Sequence, residues 1–484
     1  MLQLVELVMT FLDGSNQPPE KALSELSWFG SARRMDYLLQ RQEIKDLQGW
    51  ELAVETRGDR RVFAAWQHAW PVVRRIEAET QAEAGADDGL RAWVASEEAL
   101  TELKTLLADS NAGLSDATEA AIIEWENLGS ADTPNPTRNP IRATLRLNTD
   151  RPATLMLAAA PESCDALFAI AREIVETLPF LVSPLAIDPG AREPVKAAKL
   201  KLPKHATPTD AFAEIGKSVA AHWFGNDAAS RAGLEAEHVH QLRVAQRRLK
   251  TALKLFPEWI DDAWNTQVAP DLQWFGDLLA DARDWDVFTD TTLPAYAAAG
   301  DEQHKDSWTP TQSAADANRM AARKRLQDAM NSPRYARLAL SFVQWFSQLE
   351  APPDHEHRTL AGHVQKCLTK HYRKIERAPD LTTVDAHTRH KVRIHAKRLR
   401  YALEFFRTLV TRRTRDRIEK ALGNLQSVLG EGNDAAVAAQ RLADLHKADD
   451  FQKGLAKGFA VTMQKISAIE GERILRKIKP PRIK

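Results

Sequence analysis

The sequence predicts two domains: an α+β domain over residues 1–203, followed by an all-α domain over residues 205–484. Three observations predict this division. Short alternating apolar runs, which are typical of strands, occur in the first part. From Asp210 onward, the apolar residues recur with the spacing of helices. Between the two parts, Pro203 and Pro208 interrupt both patterns and mark a linker.

The first domain combines strands with amphipathic helices. The strands are predicted from alternation and the helices from a period near 3.6 residues. The predicted strands are Leu2–Leu12, Trp50–Thr56, Arg142–Leu147 and Ala153–Ala158, and the predicted helices are Leu90–Asp109, Ala117–Leu128 and Ala166–Leu178. Strands and helices that share one domain indicate an α+β fold.

The formal charge of the chain is balanced overall but not along its length. The 484 residues contain 66 Lys and Arg against 66 Asp and Glu. Acidic residues are in excess in the first 200 residues and basic residues afterwards, so we expect the two domains to have different partners. The basic part indicates an anionic ligand, such as polyphosphate, nucleic acid or an acidic surface. We expect the acidic part to be structural or to recruit a protein partner.

The two cysteines, Cys164 and Cys367, lie far apart in the sequence. Their number excludes a disulfide framework and a zinc site built from cysteines. The N-terminus lacks a cationic segment followed by an apolar run, and no stretch has the apolar length that spans a bilayer. We therefore expect a cytoplasmic protein with reduced thiols and no membrane partner.

One basic segment occurs twice in the helical domain, at an offset of 150 residues. Both copies read H-x-x-R-x-x-x-[RK]-R-L-[KR]-x-A-L-x-x-F; the first begins at His240 and the second at His390. An apolar segment ending at an aspartate repeats at the same offset, with Asp284 in the first copy and Asp434 in the second. Two matches at one offset indicate two structural units of one design.

Each basic segment is predicted to be an amphipathic helix with its cations on one face. Leucine and phenylalanine residues fall on the opposite face, which predicts contact with a core. No acidic residue interrupts either row, so the cations of a row repel one another unless an anion neutralises them. The rows comprise His240, Arg243, Arg247, Lys250 and Lys254 in the first copy and His390, Arg393, Lys397 and Arg400 in the second, and a further basic helix contributes Arg323 and Lys324.

Rows of this kind fit a chain of phosphates. A guanidinium binds phosphate oxygens through two N–H groups, lysine supplies a point charge, and histidine gains charge as the pH falls through about 6.5. The row from His240 to Lys250 extends for about 15 Å along a helix. Two such rows facing one another predict a groove for inorganic polyphosphate, in which both rows contact one polymer.

Nucleic acid is an alternative ligand, because its phosphate backbone suits the same rows. No aromatic residues are interleaved with the cations to stack on bases, and no motif that reads a DNA groove is present. The tryptophans of this region, Trp259, Trp264, Trp274 and Trp285, are predicted to lie in the core. The sequence therefore disfavours nucleic acid relative to polyphosphate.

A divalent metal site is a second alternative, because several histidines are close in sequence. The candidate ligands are His238, His240, His355, His357, His387, His390 and His395, with Asp284 and Asp434 as carboxylates. The cations beside these histidines repel a metal ion, so we predict no metal and no cofactor. We expect the two aspartates to cap helices or to orient basic side chains.

Catalysis is a third alternative. The chain has no glycine-rich phosphate loop of the P-loop kind. We therefore predict a protein that binds its ligand without catalysing a reaction.

The doubled motif resembles the CHAD family, the conserved-histidine α-helical domain, over roughly residues 210–480. The matching residues are His240, Arg243, Arg247 and Arg248 in the first copy and His390, Arg393, Lys397, Arg398, Arg400 and Tyr401 in the second. Ala282–Val287, Ser332–Tyr335 and Leu429–Asp434 are similar to secondary motifs of the family. The resemblance implies two pseudo-symmetric antiparallel four-helix bundles, polyphosphate binding in which Arg248 and Arg398 also take part, and localisation to polyphosphate granules.

The first domain resembles a degenerate CYTH domain, the triphosphate tunnel fold, which often precedes a CHAD domain. A working CYTH domain opens with a strand that reads E-x-E-x-K. The corresponding strand here keeps Glu6 but has Val8 and Thr10 in place of the second acid and the lysine, and Ala53–Glu55 stands where a basic strand is expected. The resemblance therefore implies the fold without triphosphate hydrolysis.

Overall fold

The computed structural model describes residues 2–12, 18–26, 29–30, 32–41, 50–67, 70–81, 85–108, 114–128, 141–147, 152–183, 193–202, 205–233, 235–299, 306–352 and 359–484. The chain divides into two compact units. The first comprises Met1–Asp188 with Ala329–Gln348, and the second comprises Pro189–Asp328 with Leu349–Lys484. Residues 329–348 thus pack within the first unit, and the predicted domain boundaries at residues 203 and 205 stay a prediction.

The first unit contains an antiparallel β-barrel. The described residues form nine strands: β1 Leu2–Phe11, β2 Arg33–Arg41, β3 Trp50–Arg57, β4 Arg60–Gln67, β5 Val73–Gln81, β6 Thr118–Leu128, β7 Ile141–Leu147, β8 Thr154–Ala159 and β9 Phe180–Val182. Eight of them follow the order β5-β4-β3-β2-β6-β7-β8-β1. Because β1 pairs with both β8 and β5, this sheet closes on itself. Strand β9 adds to the other end of β1.

Helices cover the outside of the barrel. They are α1 Pro19–Ser24, α2 Ala86–Ser96, α3 Thr101–Ala108, α4 Cys164–Thr177 and, from the distant segment, α11 Pro333–Ser347. Leu90 and Trp93 of α2 pack against Phe63 of β4 in one apolar cluster. Helix α11 contacts α4 and β9, and Phe346 lies 5.4 Å from the ring of Trp70. These contacts explain why α11 belongs to the first unit.

The helix predicted over Ala117–Leu128 is wrong: Thr118–Leu128 forms β6, which pairs with β2 and β7. The segment is rich in alanine and glutamate, which favour helices locally, but pairing along both edges overrides that preference. The predicted strands are confirmed as β1, β3, β7 and β8, whereas the sequence did not predict β2, β4, β5 or β9. Predicted helical segments are found as α2 with α3, and as α4.

Charged residues meet inside the barrel and neutralise one another. The ion pairs are Arg75 with Glu6 (3.0 Å) and Glu77 (2.7 Å), Arg57 with Glu55 (2.6 Å) and Glu124 (3.4 Å), Arg142 with Glu77 (2.9 Å), and Arg146 with Glu55 (3.9 Å). Burial disfavours the charge of Arg75, but Glu6, Glu77 and Glu55 outweigh burial and raise the pKa of Arg75. Glu6 therefore has a fixed cationic partner.

The second unit is helical. Its helices in the described residues are α5 Pro208–Phe224, α6 Asp227–Arg231, α7 Ala236–Leu255, α8 Ala269–Val287, α9 Leu293–Ala299, α10 Trp308–Met330, α12 Leu360–Glu376, α13 Ala386–Phe405, α14 Lys420–Asp444 and α15 Asp450–Leu475. No helix within the described ranges combines the length and the apolar character needed to cross a membrane. The grouping into two four-helix bundles stays a prediction.

The helix boundaries repeat at the offset found in the sequence. Helices α7 and α13 both begin and end 150 residues apart, and π-helical turns starting at Trp264 and Thr414 precede α8 and α14. Helix α7 contacts α5 and α8, α13 contacts α12 and α14, and α7 and α13 also contact each other. The last of these contacts brings the two basic helices together.

Candidate polyanion-binding site

Four cations of the predicted rows meet between α7 and α13. Arg243 and Arg247 of α7 lie within the electrostatic fields of Arg393 and Lys397 of α13. We call these four residues the central cluster. Each side chain is partly buried, so their mutual repulsion is screened less than it would be in bulk water. The structure thus joins the two rows through their middle residues.

The environment of Lys397 lowers its pKa from the ordinary value of 10.5 to about 7. Burial is the largest cause, followed by the positive charges of Arg393 and Arg247. Burial also lowers the pKa of Arg243 and of Arg393, although both arginines keep their charge at neutral pH. A pKa near 7 leaves Lys397 only partly protonated at neutral pH, and a nearby anion would raise this pKa.

One aspartate of each repeat lies beside the central cluster. Asp284 Oδ1 is 3.8 Å from Arg243 Nη2, and Asp434 Oδ1 is 3.7 Å from Arg393 Nη2. Both distances exceed a hydrogen bond, so the attraction is loose. Because the aspartates lie inside α8 and α14, they do not cap helices; they are placed to orient basic side chains, the other predicted role.

Two members of the central cluster have no carboxylate partner among the described residues. Arg247 and Lys397 form no ion pair there, and Arg247 Nε is buried without a hydrogen-bond partner. Arg393 Nε is likewise buried and unbonded. Partly buried cations without partners raise the free energy of the folded state. A bound anion would lower it.

The first histidine of each row has a different neighbour. His390 Nδ1 is 3.0 Å from Asn433 Oδ1. The equivalent of Asn433 in the first repeat is Arg283, and burial, followed by the charge of Arg283, lowers the pKa of His240. Arg283 also acts on Arg243. Arg283 belongs to the motif Ala282–Val287, and the structure places it beside the central cluster.

The far ends of the two rows are more open. Lys250 and Lys254 are exposed, and Lys250 Nζ lies 3.4 Å from Gln273 Oε1. In the second row, Arg400 Nε donates to Gln426 Oε1 at 3.1 Å and its guanidinium lies over the ring of Tyr401. These residues extend the rows away from the central cluster.

Arg248 lies in the core, although the resemblance implies that it takes part in polyphosphate binding. Its side chain is 1% exposed and lies 5.2 Å from the ring centre of Phe405. Its Nε donates to Glu404 Oε1 at 3.1 Å and its Nη2 donates to Ser218 Oγ at 3.1 Å. Because these contacts occupy the guanidinium, we expect Arg248 to support the packing of α7 rather than to contact the ligand, and its part in binding remains to be tested. Its counterpart Arg398 lies near His371 of α12 and His395 of α13, and its charge lowers the pKa of both histidines.

The predicted basic residues of α10 are neutralised within the chain. Arg323 Nε donates to Asp286 Oδ1 at 2.7 Å, and Lys324 pairs with Asp328. Asp286 is buried. The structure therefore does not bring Arg323 and Lys324 into the central cluster, and their part in ligand binding stays a prediction.

A further row of cations on α12 is absent from the sequence prediction. Its members are Lys366, Lys370, Arg373, Lys374 and Arg377, which with His395 of α13 line a surface groove. Burial and then the charges of Lys374 and Arg398 lower the pKa of His395. The helical spacing of this row is visible in the sequence and would have revealed it.

The histidines do not form a metal site in the part of the chain that the structure describes. No group of three or more His, Cys, Asp or Glu side chains is placed there to hold a metal ion. His238 is buried, His390 contacts Asn433, and His395 faces the cations of α12. The predicted pair His355 and His357 lies outside the described residues.

A comparison with known families identifies the helical part. Residues 214–443 match the family model of the CHAD domain. These residues form a CHAD domain. The resemblance stated from the sequence is confirmed, and so is the helical fold class of this part. The eight-stranded antiparallel barrel that precedes the CHAD domain is consistent with a CYTH-like triphosphate tunnel fold.

Solved structures that match the chain include a CHAD domain from a plant. The CHAD domain from Ricinus communis is 29% identical, with a TM-score of 0.49, and the match covers 61% of this chain and 100% of that chain. PptA from Streptomyces chartreusis is 16% identical, with a TM-score of 0.45, and the match covers 56% of this chain and 99% of that chain. No curated protein matches the chain.

Proposed function

We propose that the CHAD domain binds inorganic polyphosphate through the central cluster and the two rows of cations that extend from it. This proposal rests on Arg247 and Lys397, which are both partly buried and form no ion pair in the described residues. The charge of Arg247 acts on Lys397 and contributes to its lowered pKa. A polyanion between α7 and α13 would neutralise both residues at once. It would also form charge-assisted hydrogen bonds with Arg243 and Arg393.

A polymer fits this arrangement better than a single phosphate. Each row extends for about 15 Å along its helix, and the exposed residues Lys250 and Lys254 continue the first row beyond the central cluster. A chain with one charge per phosphate can follow both rows. Contact with both rows raises the overall affinity, because the second contact becomes intramolecular.

Polyphosphate also fits better than nucleic acid. Trp259 and Trp264 are buried, as predicted. Trp274 and Trp285 are only partly buried, but the guanidinium of Arg441 lies 4.4 Å from the ring centre of Trp285 and covers it. None of these four tryptophan rings is fully exposed, which disfavours stacking with nucleic-acid bases.

The proposed activity is binding without catalysis. Glu6, the one acid that remains from the CYTH strand pattern, is 1% exposed and engaged by Arg75, which leaves it poorly placed to hold Mg²⁺ or Mn²⁺ for triphosphate hydrolysis. We also propose a cytoplasmic location at polyphosphate granules, and a protein partner for the acidic first domain. Incubation of the full-length protein with tripolyphosphate and either metal is expected to release no phosphate.

A competition experiment tests the proposed ligand. Labelled long-chain polyphosphate is bound to the full-length protein and displaced by unlabelled polyphosphate, duplex DNA or single-stranded RNA at physiological salt. We expect polyphosphate to compete best, and its affinity to fall steeply with salt because counterions are released from the polymer. Stronger competition by a nucleic acid, or affinity independent of salt, would contradict the proposal.

Matched variants locate the binding. We expect Arg247→Gln/Lys397→Gln to weaken polyphosphate binding by about tenfold or more, because each removes a charge-assisted contact. The control Lys324→Gln/Arg412→Gln removes the same charge from exposed residues that pair with Asp328 and Asp416. Equal losses in both variants would mean that net charge, rather than the central cluster, governs binding.

A further inference from the structure

The C-terminal residues fold back onto the segment that leads into α14. Thr411 N donates to Arg482 O at 3.0 Å, Arg482 N donates to Thr414 Oγ1 at 2.9 Å, and Lys484 N donates to Leu409 O at 2.9 Å. These three hydrogen bonds, two between backbone groups and one to a side-chain hydroxyl, hold the C-terminal residues in one position. Cationic side chains of the two segments are thereby fixed near one another.

A concave pocket of about 460 Å³ lies between the two segments. Five cations line it: Arg413, Arg417, Lys477, Lys479 and Arg482. The other lining residues are Thr411, Thr414, Ile418, Ala421, Ile478 and Pro480, so the lining in the described part of the chain contains neither an acid nor an aromatic ring. We call this the C-terminal pocket. Its volume is in the range of small-ligand sites.

Acidic residues near the pocket are engaged by other cations. Arg412 Nε lies 3.3 Å from Asp416 Oδ2, and Arg407 Nη1 lies 3.6 Å from Glu419 Oε2. The five cations of the C-terminal pocket have no such ion pair within the described ranges. The five side chains are exposed, and Glu470 lies in the electrostatic field of Lys477. Gathered around one concavity, the five like charges give a positive potential, which favours occupation by an anion.

We propose that the C-terminal pocket binds a compact anion with several closely spaced phosphates, a class that includes short condensed phosphates and inositol polyphosphates. Arginine and lysine are the side chains that recognise phosphate oxygens. Here they converge on one cavity instead of following a line, as they do along α7 and α13. A nucleotide base gains nothing from a lining without aromatic rings, so the phosphates carry the recognition.

The test compares pocket variants with a neighbouring control in the full-length protein. All variants are made in the background Arg247→Gln/Lys397→Gln, so that the central cluster does not contribute. The pocket variants are Arg413→Gln/Arg417→Gln and Lys477→Gln/Lys479→Gln. The control, Arg407→Gln/Arg412→Gln, removes the same charge from adjacent residues that pair with Glu419 and Asp416. Thermal unfolding checks that each variant is folded.

Calorimetric titration then measures binding of tripolyphosphate, inositol hexakisphosphate and ATP. We expect both pocket variants to lose about tenfold or more in affinity for at least one of the first two probes, and the control to lose less than about twofold. Tighter binding of tripolyphosphate would identify condensed phosphates as the ligand class, and tighter binding of inositol hexakisphosphate would identify inositol polyphosphates. Equal affinities of pocket variants and control for all probes would overturn the proposal. Because the background lacks the central cluster, this outcome leaves the polyphosphate proposal untouched.

Discussion

Arg247 of α7 and Lys397 of α13 lie in each other's electrostatic field, and neither has an ion pair among the described residues. The two residues are equivalents in the repeat, since both occupy the eighth position of the doubled motif. Each basic helix thus places its middle cation against that of the other. An anion between them would relieve this repulsion, and the consequences for affinity and stability can be measured separately.

The affinity for polyphosphate is expected to fall as the pH rises from 6.5 to 8.5. Lys397 has a pKa of about 7 without ligand, because of burial and the nearby Arg393 and Arg247. At higher pH it must take up a proton to bind the anion, which weakens binding. Titration with long polyphosphate, whose terminal phosphates contribute little, measures the effect; calorimetry in two buffers detects the proton uptake.

Lys397→Arg separates this effect from other titrations. Arginine stays charged throughout the range, so the variant is expected to bind with little pH dependence and without proton uptake. Lys254→Arg makes the same change at an exposed position and should keep the wild-type profile. If Lys397→Arg retains the full pH dependence, another group is responsible.

The ligand-free protein is expected to become more stable as the pH rises from about 7 to 10. The folded-state pKa of Lys397 is about 7, below its ordinary value of 10.5, so the unfolded chain binds more protons in this window and stability increases with pH. Lys397→Met should flatten the increase and raise stability at pH 7 by on the order of 1 kcal/mol. Denaturant unfolding at several pH values measures the stability at pH 7 and its dependence on pH. If Lys397→Met is less stable than the wild type at pH 7, the charge of Lys397 does not destabilise the folded protein.

Arg248→Met is expected to reduce stability by about 2–4 kcal/mol, because it removes the hydrogen bonds to Glu404 and Ser218 inside the core. The polyphosphate affinity of the folded variant should stay within about twofold of wild type. Denaturant unfolding and a binding titration below the unfolding transition test the two parts. If the stability is unchanged and the polyphosphate affinity falls strongly, Arg248 contacts the ligand.

The stability of the barrel is expected to depend on the buried ion pair between Glu6 and Arg75. Glu6→Leu leaves the buried positive charge of Arg75 only partly neutralised and should lower the free energy of unfolding by about 3–5 kcal/mol. Glu6→Leu/Arg75→Met removes both charges and should recover most of the loss, since Glu77 keeps its ion pair with Arg142. A double variant as unstable as the single one would show that the pair contributes no coupling to the stability.

Periodicity and charge in the sequence predict the two basic helices, whereas positions that depend on tertiary contacts are not visible in it. The helical repeat placed Arg243 and Arg247 on one face of α7, and the structure agrees. The adjacent Arg248 shares the motif, but its burial depends on Ser218 of α5 and Glu404 of α13, which local sequence does not reveal.

In the barrel, too, contacts between distant residues are not visible in the local sequence. Thr118–Leu128 has the composition of a helix, and only its pairing with β2 and β7 makes it a strand. The ion pairs inside the barrel join residues that are distant in sequence, such as Arg142 and Glu77. A motif confined to one strand therefore reveals that Val8 and Thr10 replace the second acid and the lysine of the CYTH pattern, but not that Arg75 pairs with Glu6.

The central claim is that both rows of cations hold one polyphosphate chain, and titration against a ladder of polyphosphate lengths tests it most directly. For the wild type, affinity should rise sharply with length and level off once the chain spans both rows, each about 15 Å long. Arg243→Gln/Arg247→Gln and Arg393→Gln/Lys397→Gln should each weaken binding and flatten this dependence, with a smaller effect on triphosphate, while Lys324→Gln/Arg412→Gln should keep it. If either row variant retains the wild-type length dependence, the two rows do not share a ligand.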